Sequence, residues 1–169
     1  MPGPLLGRTV DHWWRKVEQS GAPPDLDFLG EFEHSLDDKG RLAVPARFRP
    51  ALERGLYITR GLDPCLVIWD RASWRAISER VRTLNLWQGD ARRMQRLFFS
   101  GASAAQLDKL GRVVIPQYLR EYARFDADLT VVGLGDRIEV WARDAWREER
   151  GQAERDSAEL AEHLSRTEH

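Results

Sequence analysis

The chain repeats itself. The stretch Leu36-Asp37-Asp38-Lys39-Gly40-Arg41-Leu42-Ala43-Val44-Pro45-Ala46-Arg47-Phe48-Arg49 returns 71 positions later as Leu107-Asp108-Lys109-Leu110-Gly111-Arg112-Val113-Val114-Ile115-Pro116-Gln117-Tyr118-Leu119-Arg120. Leu, Asp, Gly, Arg, Pro and the final Arg recur. The match continues at an offset of 72, pairing Gly61-Leu62 with Gly133-Leu134, Trp69 with Trp141, Arg71 with Arg143 and Trp74 with Trp146. One inserted residue between the blocks accounts for the change of offset. A solenoid needs at least ~3 copies. Two copies therefore predict a duplicated unit that folds as a pseudo-symmetric pair.

Local signals give each unit the same order of elements. Phe28 to Ser35 reads as a strand with Phe28, Phe32 and His34 on one face. Asp37-Asp38-Lys39-Gly40 is a turn in which Gly40 can take positive φ. Arg41 to Val44 is a second strand, and Pro45 suits the first position of a short helix ending near Arg54 and Gly55. Leu56 to Arg60 and Cys65 to Trp69 are two further strands around a Gly61-Leu62-Asp63-Pro64 turn. In the second unit, Gln106 and Leu107 lead into the turn. Val113 to Ile115, a helix from Pro116, and strands Leu129 to Val132 and Arg137 to Trp141 follow. Asp70 or Ser73 caps a helix reaching about Leu84, with Trp74, Ile77 and Val81 on one face. Asp90 to Ser100 is a linking helix. Asp144 to His169 is helical in propensity, interrupted at Gly151, with a thin apolar face of Ala158, Leu160, Ala161 and Leu164 that suits a partner or frays. The domain reading is thus an N-terminal arm over 1–27, poorly ordered and set off by Ala22-Pro23-Pro24; a first repeat over 28–84; a linking helix over 85–100; a second repeat over 101–146; and an acidic helical tail over 147–169.

Charge narrows the function. The formal net charge of -1 is unevenly spread: residues 28–99 carry 13 basic and nine acidic groups, whereas 148–169 carry three and seven. Of the 26 cationic residues, only Lys16, Lys39 and Lys109 are lysines. Arginine suits bidentate contact with phosphate and guanine edges, although codon bias from a GC-rich genome is the better explanation of the overall excess. No run approaches the ~18 apolar residues of a membrane helix. Met1 to Val10 lacks the pattern of a signal peptide. The one cysteine, Cys65, excludes an internal disulfide and sits in an apolar strand as a small buried hydrophobe, which makes a cytoplasmic address the default. The scattered histidines His12, His34, His163 and His169 leave no Cys/His metal cluster, and no cofactor is expected.

The motifs Phe28-Leu29-Gly30-Glu31, Asp37-Asp38-Lys39-Gly40-Arg41-Leu42, Thr59-Arg60-Gly61-Leu62-Asp63, Gln95-Arg96-Leu97-Phe98-Phe99 and Leu107-Asp108-Lys109-Leu110-Gly111-Arg112 resemble those of the MraZ family. So do Ile115-Pro116 and Leu119-Arg120-Glu121-Tyr122-Ala123. The resemblance spans about Phe28 to Trp146. Its hallmark is two Asp-x-x-x-Arg motifs, Asp37…Arg41 and Asp108…Arg112, one per AbrB-like repeat. It implies an α+β fold of two tandem, mostly β AbrB-like repeats forming one pseudo-two-fold unit, with short helices and a C-terminal helical tail. It further implies a nucleoid-associated transcriptional regulator of the division and cell-wall gene cluster. Such a protein binds double-stranded DNA at direct repeats upstream of its own operon, as a ring of subunits.

Residue by residue, the resemblance puts Arg41 where the family's DNA-contacting arginine sits, with Arg112 as its counterpart. Lys39 beside Arg41 would reach phosphate. Arg47 and Arg49 flank Phe48 on the short helix and read equally as DNA contacts or as solvated arginines. Asp37 and Asp108, with Gly40 and Gly111, are expected to build the turns, the carboxylate orienting its arginine. Residues 37–60 carry a net +3 and residues 108–132 a net of zero. The first repeat is therefore expected to supply most of the phosphate neutralisation. The paired tryptophans read as core or subunit packing. An enzyme is the first rival class, but no glycine-rich phosphate loop, nucleophile elbow or metal motif is present; convergence of His34, Asp37 and Asp38 in a pocket would revive it. An antitoxin-type protein-binding module and a purely structural ring are the others.

Overall fold

The computed structural model describes residues 27–167; the expected N-terminal arm lies, but for Asp27, outside the described residues. Strand β1 (Phe28–Ser35) and β2 (Arg41–Ala43) open the first repeat. A 3-10 turn (Ala46–Phe48) runs into the one-turn helix α1 (Arg49–Leu52). The expected single helix is divided because Pro50 has no N–H to continue it, and Gly55, at φ 108°, closes the segment by donating to Leu52 O at 3.0 Å. Strands β3 (Leu56–Arg60) and β4 (Leu66–Asp70) follow, then helices α2 (Arg71–Arg82) and α3 (Gly89–Gly101). Asp70 caps α2 by accepting from Ser73 N at 2.7 Å. The second repeat runs β5 (Ser103–Ala105), β6 (Arg112–Val114), α4 (Gln117–Tyr122), β7 (Asp128–Gly135) and β8 (Ile138–Ala142), and α5 (Arg143–Thr167) ends the described chain. The fold is α+β with antiparallel strands.

The strands interleave. The six-stranded sheet has the order β1-β7-β8-β4-β3-β5, and β2 and β6 form a separate two-stranded sheet. Each repeat's first strand therefore pairs with the other repeat's third-strand neighbourhood in equivalent fashion: Phe32 lies opposite Val131, and Ser103 opposite Ile58. A pseudo-two-fold axis passes where residues pair with their own counterparts, Leu42 with Val113 and Val67 with Glu139. Counterparts share the core too. Leu42 and Val113, Val44 and Ile115, Phe48 and Leu119, and Leu66 and Ile138 are all buried in one cluster.

The register corrects part of the repeat alignment. Tyr57 lies opposite Trp69, and Thr130 opposite Trp141, so the second repeat has two extra residues before its third strand and one fewer in the following turn. Gly133 is consequently not the structural counterpart of Gly61. Gly61 sits in the turn, its N–H donating to Cys65 O at 2.9 Å. Gly133 lies in β7 opposite Gly30, where a Cβ would come 2.5 Å from Leu29 N. The same dipeptide serves a turn in one place and a close strand approach in the other. The short strand β5 was not expected from the sequence; three small residues carry too little alternation to signal it.

Tryptophan positions match the expected core packing. Trp69 and Trp141 are buried, and Trp74 stacks between Tyr57 and Phe98 at centroid distances of 4.5 and 5.2 Å. Cys65 is buried beside Val132, Trp141 and Trp146. Arg143 reaches back to β1 and β7, donating to His34 O at 3.3 Å and lying 3.6 Å from Asp128. The chain divides into one compact unit ending at Trp146 and a second that includes Arg147 onward. In the latter the helix continues through Gly151, where an interruption was expected. A glycine costs only ~1 kcal/mol in a helix interior, and an Arg150–Glu154 ion pair (3.6 Å) spans the turn that contains it, with an Arg166–Glu162 pair nearer the helix end.

Thr59 is fully buried and its hydroxyl accepts from Trp69 Nε1 at 2.9 Å, whereas Trp141 turns to Glu139 at 2.8 Å. Thr59→Val leaves the Trp69 indole N–H buried without its acceptor. We expect a loss of about 1–3 kcal/mol, measured by urea unfolding, with Thr59→Ser retaining most of the stability.

Candidate nucleic-acid interface

Each motif turn is built by one carboxylate. Asp37 Oδ1 accepts from the backbone N–H groups of Lys39 and Arg41, both at 2.9 Å, and Asp37 Oδ2 accepts from Arg41 Nε at 2.6 Å. Asp108 does the same with Leu110 N, Arg112 N (both 2.9 Å) and Arg112 Nε (2.8 Å). Gly40 and Gly111 take φ 71° and 73°, which carries the chain from the turn into the next strand. The backbone N–H of Arg41, followed by its guanidinium, holds the Asp37 carboxyl below the usual carboxylate range; Arg112 acts on Asp108 alike. Both oxygens of Asp37 are thus engaged in the turn.

The fold brings the two turns side by side. Val44 N donates to Gly111 O and Ile115 N to Gly40 O, both at 2.9 Å. In the β2/β6 ladder Arg41 lies opposite Val114 and Ala43 opposite Arg112. Directly opposed residues share a face, and so do residues two apart. Arg41, Ala43, Arg112 and Val114 therefore lie on one face, and Leu42 and Val113 on the buried one. The two arginines are diagonal neighbours at about 7–8 Å.

With Nε held by the carboxylate, the opposite edge of each guanidinium remains for an acceptor. Two parallel N–H groups on that edge fit a phosphate, or guanine O6 and N7. Lys39 and Arg47 are exposed; Arg41, Arg49 and Arg112 are half-buried. Arg47 lies over the Phe32 ring, 5.6 Å from its centroid. Arg49 is held within the fold: its Nε donates to Val44 O at 2.9 Å, and its guanidinium covers Gly111 of the other repeat. Its counterpart Arg120 covers Gly40 reciprocally, where a Cβ would come 2.9 Å from Arg120 Cζ. Sequence reasoning did not assign Arg120, although its recurrence 71 residues after Arg49 was the available signal. His34 is lowered below the usual histidine range, first by burial and then by Arg49, so it adds no charge at neutral pH. Among the described residues no helix is long and apolar enough to cross a membrane.

A duplicated double hairpin carrying paired Asp-x-x-x-Arg turns defines a tandem-repeat α+β protein. Residues 28–97 and 98–167 each match the family model described as "MraZ protein, putative antitoxin-like". The chain is 44% identical over 137 residues to the transcriptional regulator MraZ of Pelotomaculum thermopropionicum, covering 81% of this chain and 94% of that protein. It is 42% identical to the protein of the same name from Desulforamulus reducens, over 81% and 96% of the two chains. The corresponding protein of Moorella thermoacetica is 46% identical over 121 residues, 72% of this chain and 85% of its own length. The chain belongs to the MraZ family.

Asp37→Asn combined with Asp108→Asn keeps a side-chain oxygen that accepts from the backbone N–H groups of each turn and removes the charge. Depressed carboxyls stabilise the fold above the unfolded value of about 4 and lose that contribution as pH falls through their lower folded values. The melting-temperature gap between wild type and this variant is expected to stay constant from about pH 5 to 8 and to close below about pH 4, which calorimetry across that range checks.

Proposed function

We propose that the chain is a sequence-specific, DNA-binding transcriptional regulator. It reads double-stranded DNA with the face that carries Arg41 and Arg112. The observation that carries this reading is the juxtaposition of two half-buried arginines on one ladder face, each braced at Nε by its motif carboxylate. Lys39 and Arg47 grip phosphate beside Arg41. Arg49 contributes from its place over Gly111, steadying the turn and adding positive potential. The relatives' name, transcriptional regulator, points the same way.

The operator is a set of tandem direct repeats upstream of the chain's own operon in the division and cell-wall gene cluster. One subunit offers few base contacts, each bidentate pair discriminating by about 1–3 kcal/mol. A ring of subunits repeating the same arginines links weak sites through effective concentration. Such a protein works in the cytoplasm, at the nucleoid, without a cofactor. The antitoxin-like wording of the family description favours one second reading, a protein-binding module.

Binding to the DNA upstream of its own gene is the test. Wild type is expected to bind tandem repeats tightly, with log affinity falling steeply with log salt and with each repeat removed. Arg41→Ala is expected to lose about 5- to 150-fold per contact while native mass spectrometry shows the oligomer intact. Wild-type binding no tighter than to unrelated DNA at moderate salt sinks the proposal and favours the protein-binding reading.

A further inference from the structure

The two halves of the reading face differ where the repeats diverge. At the offset of 71, Lys39 corresponds to Leu110, Ala43 to Val114 and Arg47 to Tyr118. Two cations on the first side are thus replaced by a leucine and a tyrosine on the second, while Asp38 gives way to Lys109, so the second turn carries its lysine one position earlier and an apolar side chain where the first has Lys39. The backbone N–H groups of Lys39 and Leu110 make the same bond, each to its own motif aspartate at 2.9 Å. Their side chains therefore leave equivalent points of equivalent turns. Leu110 is 65% exposed and Val114, opposite Arg41 in the ladder, 57%. The core cluster and its partly buried fringe include Leu107, Val113 and Ile115 from this segment but not Leu110. Folding does not call for an apolar side chain at this tip, and the equivalent turn is built equally well around lysine.

Resting on the DNA-binding reading above, we propose that Leu110 is a specificity-determining residue that contacts the 5-methyl group of a thymine next to the base read by Arg112. That methyl is the apolar group on the major-groove edge of the base pairs, and it is met by apolar side chains. The exchange also polarises the site. The Lys39 side grips phosphate and the Leu110 side reads a methyl, so the pseudo-two-fold protein binds each site in one orientation. A non-palindromic site repeated head to tail suits such a reader better than an inverted repeat.

The test uses the full chain and duplexes that wild type enriches from a random pool. Each thymine of the enriched site is replaced singly by deoxyuridine, which removes only the methyl. At one position or more, the change is expected to cost wild type about fourfold, the scale of one buried methyl. It is expected to cost Leu110→Ala nothing at that position, because the contact is already gone. Leu110→Lys, which copies the first repeat, is expected to be equally indifferent to the methyl and to steepen the salt dependence by about one phosphate contact. Equal sensitivity of wild type and Leu110→Ala at every thymine overturns the proposal while leaving the DNA reading intact, provided Arg41→Ala still weakens binding as expected above. A change in oligomer mass on Leu110→Ala overturns it in favour of a subunit contact. Failure of wild type to enrich any sequence overturns both readings.

Discussion

Backbone hydrogen bonds between the two repeats hold the rest of the structure in place. Each repeat pairs only its last two strands with each other, β3 with β4 and β7 with β8; β1 is satisfied by β7, β5 by β3 and β2 by β6 across the repeats. A buried strand edge without a partner would leave N–H and C=O groups unpaired, at a cost comparable to a lost hydrogen bond for each. Duplication within one chain supplies the missing edge at a fixed, high effective concentration. The crossing bonds from Val44 to Gly111 and from Ile115 to Gly40 extend the pairing to the motif turns themselves. The two turns are consequently parts of one rigid object.

That arrangement separates arginines by task. Arg49 and Arg120 cover the glycines of the opposite turns. Arg60 donates to Leu97 O and Ser100 Oγ and lies over the Tyr122 ring, 5.7 Å from its centroid. Arg143 ties β1 to β7. Net charge per repeat counts all of these alike, although several are engaged within the fold. Arg41 and Arg112 differ in kind: each is held at Nε by the carboxylate of its own motif turn. Holding the donor in place before the ligand arrives lowers the ordering cost of binding.

Much of the local structure was legible in the sequence. β1 and β3 fall at the expected residues, because Phe28, Phe32, Leu56 and Ile58 alternate strongly. Asp70 capping α2, the glycine turns of both motifs, and the buried places of Trp69, Trp141 and Cys65 were likewise readable. The misses have physical causes. Gly61-Leu62 and Gly133-Leu134 look equivalent as letters, yet glycine answers both a turn's dihedrals and a close strand approach, and letters do not distinguish the two. Gly151 reads as a helix break because propensity is local, whereas ion pairs along the helix offset its cost. β5 is too short and its side chains too small to show a period.

By itself, the sequence determined that the chain is a duplication, that each copy carries an Asp-x-x-x-Arg turn with a glycine where positive φ is needed, and that each turn is followed by apolar residues. These are properties of neighbours along the chain, and short-range chemistry suffices to write them. Only the tertiary structure decided that β2 and β6 pair through their own counterparts, that Arg41 and Arg112 come to one face, and that Arg49 and Arg120 lie across the opposite glycines. Those facts depend on the register between segments some 71 residues apart. Register is set by which side chains must be buried together and which backbone groups must find partners, a condition on the whole molecule.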